Sequence, residues 1–117
     1  MKKHILFLCS QNKLRSPTAE AIFVDHPAVE VDSAGLNHDA IVPLSEEQLH
    51  WADLILVMEK THRTRLNRKF RKALAGKRVA VLDIPDNYDF MEPELVALLQ
   101  KKCAAYIPSL GSSCGKR

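Results

Sequence analysis

Two side chains early in the sequence, Cys9 and Arg15, have types and a spacing that could do chemistry together. Cys9 ends an apolar run, and the Ser16-Pro17 pair directly after Arg15 is typical of the start of a helix. Backbone N–H groups of a tight loop and of a helix start point inward and attract an anion. The same positive field favours the thiolate form of the cysteine, which is the nucleophilic form. The segment therefore indicates an anion-binding loop with a nucleophile at its base.

The residues after Cys9 would each contribute to binding a phosphoryl group. Arg15 can bind two phosphate oxygens in a bidentate fork, and the hydroxyl of Ser16 can donate a hydrogen bond to the thiolate. The predicted phosphate-binding residues are Ser10, Gln11, Asn12, Lys13, Leu14, Arg15 and Ser16. The loop lacks the glycines and the Gly-Lys-Ser/Thr ending of a nucleotide-binding loop, so it favours a covalent nucleophile.

The Cys-x5-Arg spacing also has a purely structural interpretation. A core cysteine at a strand end and an unrelated surface arginine would give the same spacing, and the spacing alone favours that interpretation. The position of the pair at a strand-to-helix turn, with serine and proline at the helix start, favours phosphate binding instead.

Apolar runs and helical patterns alternate along the chain. The runs 5–8, 54–58 and 79–82 do not alternate with polar residues, which is typical of strands buried on both faces of a parallel sheet. A fourth, shorter strand is predicted at 29–32. The predicted helices are one beginning near Pro17 and capped by Ser16, one from the capping box at Ser45 to about Trp51, one over 61–74 stopped by Gly76, and one from Pro93.

This order predicts an α/β fold, a doubly wound four-stranded parallel sheet with helices on both faces. Ligands bind such sheets at the carboxyl ends of the strands, next to the topological switch point. The 117 residues predict a single domain, 1–117, with residues 109–117 as a flexible tail. The three cysteines form no CxxC pair, which argues against a disulfide scaffold and a structural zinc site. The absence of an apolar run of membrane-spanning or signal-peptide length predicts a cytoplasmic protein.

The sequence resembles the low-molecular-weight protein-tyrosine phosphatases over most of residues 4–106. The motifs that carry the resemblance are Ile5-Leu6-Phe7-Leu8-Cys9, Asn12, Arg15-Ser16-Pro17, Ala19-Glu20-Ala21, Val31-Asp32-Ser33-Ala34-Gly35, Ala52-Asp53-Leu54-Ile55-Leu56-Val57-Met58-Glu59 and Asp83-Ile84-Pro85-Asp86-Asn87-Tyr88. The resemblance implies a four-stranded parallel sheet and hydrolysis of a phosphomonoester through a phosphocysteine, with no metal and no cofactor. It also implies that inorganic phosphate and other oxyanions would inhibit.

The resemblance extends to an acid and to residues that brace the loop. The family's general acid is an aspartate in an Asp-Pro-Tyr-like turn after the last strand, which maps to Asp86, with Asp83 and Asp89 as alternatives. Such an acid protonates the leaving oxygen and then activates water. All three aspartates could instead be turn-forming residues around a proline. The bracing residues of the family map to Asn12, Ser16 and Ser33.

Three departures from the family pattern concern the loop and the substrate crevice. Gln11 replaces a glycine of the family, and Leu14 replaces a second cysteine, so no protective disulfide with Cys9 is expected. The region between Ser33 and Ala52, which in the family walls the crevice and supplies a bracing histidine, is shortened. A more open crevice is therefore expected, with phosphotyrosine specificity in doubt.

The remaining polar features have both a structural and a functional interpretation. Residues 60–78 carry nine Lys or Arg and no acid, against a net charge of +3 for the chain. They form either the solvated face of a helix or a positive field for a polyanionic substrate. His62, near a helix start, is predicted on the surface, with a catalytic role as the alternative. Trp51 is predicted in the core or at a helix end, and Cys103 in the core. Cys114 is predicted to be inert in the tail, which argues against an arsenate reductase that relays through further cysteines.

These observations predict a cysteine-dependent phosphatase with Cys9 as nucleophile, Arg15 as phosphate ligand and Asp86 as acid and base. Its substrate would be a phosphotyrosine protein or another phosphomonoester. Neither a membrane nor a nucleic-acid partner is expected. A catalytically weak phosphate-binding regulator on the same scaffold, or an arsenate reductase-like enzyme, is the alternative.

Overall fold

The computed structural model describes residues 3–11, 14–85 and 87–107. Over these residues four strands and four helices alternate along the chain. They are β1 (Lys3–Cys9), α1 (Arg15–Phe23), β2 (Val29–Gly35), α2 (Glu46–Trp51), β3 (Leu54–Val57), α3 (Lys60–Lys69), β4 (Arg78–Val81) and α4 (Pro93–Cys103). The predicted order of elements is confirmed.

The four strands form one parallel sheet in the order β2-β1-β3-β4. The chain passes from β1 to β2 on one side and then crosses back to place β3 on the other side of β1. This reversal makes the carboxyl ends of β1 and β3 the topological switch point, where ligands bind in such sheets. The predicted doubly wound α/β fold is confirmed.

Side-chain alternation along β1 divides the core between the two faces of the sheet. Ile5, Phe7 and Cys9 pack on the face covered by α1 and α4, and Leu6 and Leu8 pack on the face covered by α2 and α3. Burying one such aliphatic or aromatic side chain contributes roughly 1.5–3 kcal/mol. The alternation continues by one residue past the strand end, so that Cys9 and Ser10 face opposite layers.

Two helix boundaries differ from the prediction. α1 begins at Arg15, so Ser16 lies inside the first turn rather than at the cap. α3 ends at Lys69, and residues 71–76 form turns that end at Gly76, whose φ is +81°. The capping box of α2 is confirmed, because Ser45 Oγ accepts from the N–H of Gln48 at 3.3 Å. β2 runs three residues past its predicted end because residues 33–35 continue to pair with β1.

Among the described residues, each helix is too short or too polar to cross a bilayer. The predicted tail at 109–117, with Cys114, lies outside the described residues.

Candidate active site

Cys9 is the last residue of β1 and lies at the switch point. Its side chain is turned toward α1 and is 3% exposed. Sγ of Cys9 shares a hydrogen bond of 2.9 Å with Oγ of Ser16 in the first turn of α1. A hydroxyl at this distance can donate to a thiolate and stabilise its charge. The predicted pairing of these two residues is therefore present in the structure.

Arg15 is a buried cation rather than a surface one, with 4% of its side chain exposed. Its Nη1 donates to Oε2 of Glu59 at 2.5 Å and to the carbonyl of Ile84 at 2.7 Å. These partners follow β3 and β4, so the arginine connects three carboxyl ends of the sheet. Because a buried charge is costly unless it is paired and hydrogen-bonded, these contacts hold the guanidinium in one orientation. The interpretation as an unrelated surface arginine is excluded.

Ser10 faces the layer opposite to that of Cys9. Its Oγ lies 3.1 Å from Nε2 of His62 and accepts from Nη1 of Arg65 at 3.3 Å. The N–H of Glu59 donates to Nδ1 of His62 at 3.1 Å, so Nδ1 acts as an acceptor. In a neutral ring the proton is then on Nε2, the nitrogen that lies next to Ser10. The loop is thus held to α3 by a histidine in its first turn and an arginine in its second.

The surface position predicted for His62 is wrong, because only 2% of its area is exposed. The available sequence signal was the Glu-x-x-His spacing at the start of α3, since a capping box places the third helical residue back against the cap. The histidine that contacts the loop therefore comes from α3 and not from the shortened region after Ser33.

The shortened region binds the loop through its backbone. The carbonyls of Cys9, Ser10 and Gln11 accept from the N–H groups of Leu36 at 2.9 Å, Asn37 at 2.9 Å and Ile41 at 3.0 Å. These three bonds run along the outer edge of the loop and stiffen it. Ile41 is 67% exposed, and its neighbour Val42 is also exposed, so both form an aliphatic rim beside the loop.

Gln11 is accommodated without backbone strain. Positive φ among the described non-glycine residues occurs at Asp83 and Met91, and Gln11 is not one of them. The side chain that replaces the family's glycine is therefore compatible with the loop conformation. Gln11 is exposed.

Other predicted loop residues have the following positions. Leu14 is half-buried, and its carbonyl accepts from Oγ1 of Thr18 at 2.6 Å. Ser33 is buried and donates to Oε1 of Glu20 at 2.5 Å. Asn12 and Lys13 lie outside the described residues. The bracing roles of Asn12 and of Ser33, whose described hydrogen bond is to Glu20, stay predictions.

The acidic segment after β4 lies at the same edge of the sheet. The N–H of Ile84 donates to the carbonyl of Met58 at 2.8 Å, which holds this segment against the end of β3. Asp83 is exposed, has a φ of 57°, and lines an open cavity of about 370 Å³ with Glu59, Lys60, Thr61, Ile84 and Pro85. Asp86 lies outside the described residues. Asp89 is exposed, and its N–H donates to Oε1 of Glu92 at 3.0 Å.

Cys103 lies in α4, where it is fully buried, so its predicted core position is confirmed. Burial raises the pKa of the Cys103 thiol to about 12. Trp51 lies at the end of α2, as predicted, and stacks on His4. No group of three or more His, Cys, Asp or Glu within the described ranges could hold a metal ion.

Several solved structures with the same fold are named as phosphatases. The tyrosine phosphatase Wzb from Escherichia coli K30, in complex with phosphate, is 21% identical; the match covers 91% of this chain and 96% of that one, with a TM-score of 0.73. The YwlE arginine phosphatase from Geobacillus stearothermophilus is 24% identical over 88% of this chain and 91% of that one, with a TM-score of 0.70.

A third structure is a Cys-to-Ser mutant of the YwlE arginine phosphatase with a phosphorylated active-site serine. It is 26% identical over 87% of this chain and 93% of that one, with a TM-score of 0.64. No protein-family model and no curated protein matches the chain. The chain therefore has the fold of the low-molecular-weight tyrosine phosphatases, as the sequence resemblance predicted.

Proposed function

We propose that this protein is a cysteine-dependent phosphatase that hydrolyses phosphomonoesters through a phosphocysteine on Cys9. The observation that carries the proposal is the 2.9 Å contact between Cys9 Sγ and Ser16 Oγ beside the buried Arg15. A nucleophile, a hydroxyl donor and an oriented guanidinium at a helix start are the parts that phosphoryl transfer to sulfur requires.

In the first step the thiolate of Cys9 attacks phosphorus in line with the leaving oxygen. The S–P bond forms while the P–O bond to the leaving group breaks, and the leaving oxygen takes a proton from a carboxylic acid. Arg15 and the loop N–H groups bind the equatorial oxygens, where negative charge is concentrated. The bonds from Arg15 to Glu59 and Ile84 support this role, because they fix the guanidinium before substrate arrives.

In the second step water attacks the phosphorus of phosphocysteine. The general acid of the first step, now a carboxylate, accepts a proton from the water. The S–P bond breaks, and inorganic phosphate leaves. The departing sulfur becomes a thiolate again, and the hydroxyl of Ser16 stabilises it. The phosphorylated active-site serine of the YwlE mutant supports a covalent phosphoenzyme in a protein of this fold.

We assign the acid to Asp86, with Asp83 and Asp89 as the alternatives. The support is its place in the chain, since the segment after β4 lies at the edge where the loop begins. The similar structures are named as a tyrosine phosphatase and an arginine phosphatase, so their leaving groups differ. The proposal therefore specifies the phosphoryl group that is transferred and leaves the identity of the leaving group open.

An arsenate reductase-like relay through Cys103 is disfavoured by one observation, whereas Cys114 lies outside the described residues. Such a relay needs a second reactive thiol close to the nucleophile, and Cys103 is fully buried in α4 with a raised pKa. The phosphate-binding regulator remains as the competing function, because it would use the same loop without turnover.

The deciding experiment is hydrolysis of p-nitrophenyl phosphate by the wild type and by Cys9→Ser. We expect turnover by the wild type and a loss of roughly 10³-fold or more in Cys9→Ser. Cys103→Ala is the matched control, since it removes a thiol that the mechanism does not use. Equal rates, or no turnover by folded wild type, contradict the proposal. Vanadate binding without turnover would select the regulator.

A further inference from the structure

Cations of α3 lie along the edge of the phosphate-binding loop. Arg65 donates through Nη1 to Oγ of Ser10 at 3.3 Å and through Nη2 to Oδ1 of Asn37. Lys69, one turn further along, donates to the carbonyl of Leu36 at 3.5 Å. The loop and the segment beside it therefore carry two positive charges that hydrogen bonds hold in place.

These charges are not neutralised by carboxylates. The acceptors of Arg65 and Lys69 are a hydroxyl, an amide oxygen and a backbone carbonyl, all of them neutral. Over the described ranges, none of the nine cations in 60–78 forms an ion pair with a carboxylate. Arg15 differs, because Glu59 compensates its charge. Arg65 and Lys69 thus present an uncompensated positive field on one side of the loop.

The positive field of Arg65 reaches the residue next to the nucleophile. Ser10 follows Cys9 directly, and adjacent Cα atoms are about 3.8 Å apart. The side chains of Cys9 and Ser10 face opposite layers, so Arg65 lies on the α3 side of the loop and not beside the thiol. A second group of a substrate whose phosphoryl group is bound in the loop would meet Arg65 on that side. Because a guanidinium binds carboxylates well, a second anionic group of the substrate fits this position.

The segment that supplies Asn37, a partner of Arg65, also supplies the aliphatic rim, which indicates what kind of molecule carries that anion. Ile41 and Val42, in the same segment as Asn37, are exposed and aliphatic, so they suit peptide side chains and lack the aromatic rings on which nucleic-acid bases stack. The exposed aromatic Phe90 belongs to a different segment, in which the N–H of Met91 bonds to Thr18 of α1. Aliphatic contacts next to cations favour an acidic protein segment over RNA.

We propose that the substrates are phosphorylated proteins with an acidic side chain beside the phosphorylated residue, and that Arg65, assisted by Lys69, binds this acidic group. This inference rests on the proposed phosphatase function. It assigns a role to the basic segment 60–78, which phosphoryl transfer alone does not require.

The test compares two phosphotyrosine peptides that differ only by Glu or Gln on both sides of the phosphorylated residue. For the wild type we expect kcat/KM to be about fivefold higher for the Glu peptide, mainly through KM, and the difference to disappear in high salt. In Arg65→Gln the ratio should fall to about one. Arg71→Gln, which removes an equal charge from the turn after α3, should keep the wild-type ratio.

Two reference substrates separate the possible failures. If p-nitrophenyl phosphate is not hydrolysed, the phosphatase proposal itself is wrong. If it is hydrolysed but the wild type treats both peptides equally, or cleaves neither, the acidic-substrate inference is overturned. A preference for a 5′-phosphorylated oligoribonucleotide over the Glu peptide would also overturn it, in favour of nucleic acid. Because Arg65 contacts the loop, its effect is measured as the ratio between peptides and not as a rate.

Discussion

Oε2 of Glu59 lies 2.5 Å from Nη1 of Arg15, and this ion pair connects the end of β3 to the start of α1. The two residues are 44 positions apart in the chain, so the contact exists only once the sheet has formed. The side chain of Arg15 is almost wholly buried, whereas the side chain of Glu59 is 39% exposed. Glu59 therefore orients Arg15, the predicted phosphate-binding residue, from the solvent side.

Glu59→Gln should lower both stability and activity, because it leaves a buried guanidinium with a neutral partner. Removing one partner of a fully buried pair costs about 3–5 kcal/mol, and the exposure of Glu59 reduces this to roughly 1–2 kcal/mol. Loss of the fixed orientation should reduce kcat/KM by about tenfold or more. Urea unfolding and p-nitrophenyl phosphate kinetics measure the two effects.

The matched control for this change is Glu47→Gln, which alters an exposed carboxylate in the first turn of α2. It should leave kcat/KM at the wild-type level and change stability by only a few tenths of a kcal/mol. If Glu59→Gln behaves like the control, the ion pair does not orient Arg15.

Ser16→Ala should reduce the reactivity of Cys9. The 2.9 Å contact joins the hydroxyl of Ser16 to the sulfur of Cys9, and a hydrogen bond to a charged group contributes about 1.5–3 kcal/mol. Without this donor the negative charge on sulfur loses a stabilising contact, so the rate of alkylation by iodoacetate should fall about tenfold. Ser45→Ala, which removes the cap of α2 instead, should destabilise the protein by about 1 kcal/mol with no change in alkylation. Equal alkylation of Ser16→Ala and wild type would show that the hydroxyl does not stabilise the thiolate.

The buried strands were the part of the fold that the sequence predicted best. Residues 5–8 are wholly buried within β1 because both faces of a parallel sheet are covered by helices, which leaves no position for alternating polar residues. The position of Cys9 and Arg15 followed from the same pattern, since a nucleophile at the end of a buried strand lies at the carboxyl edge. Local order along the chain was sufficient for these features.

Contacts between distant residues could not be predicted in this way. Ser10 and His62 are 52 positions apart, and no spacing rule brings them together before the strand order is known. The end of α3 was also mispredicted, because Leu74 continues the apolar stripe of Leu66 and Phe70 along the sequence. Leu74 is buried, but it lies in the turns of 71–76 and not in the helix. The apolar spacing therefore continues beyond the end of α3.

The acid can be identified by comparing Asp83→Asn, Asp86→Asn and Asp89→Asn. Asp86→Asn should lose about 10²-fold or more in kcat with phenyl phosphate, whose leaving oxygen needs a proton. The loss should be smaller with p-nitrophenyl phosphate, because p-nitrophenolate leaves without much protonation. The other two variants serve as controls with the same chemical change. A selective loss in Asp83→Asn or Asp89→Asn would move the assignment to that residue.

Cys103 should be inert in the folded protein, because burial raises the pKa of its thiol from 9.0 to about 12. Folding therefore favours the protonated thiol. This contribution to stability is fully present below pH 9 and is lost as the pH rises toward 12. At pH 8 iodoacetamide should label Cys103 at least about 10²-fold more slowly in the native protein than in guanidinium chloride.

Peptide mass spectrometry measures each cysteine separately, and Cys9 provides the internal comparison, since it should be labelled in the native protein and protected by vanadate. Native labelling of Cys103 as fast as Cys9 would show that the thiol is accessible, and would restore a two-cysteine relay as a mechanism.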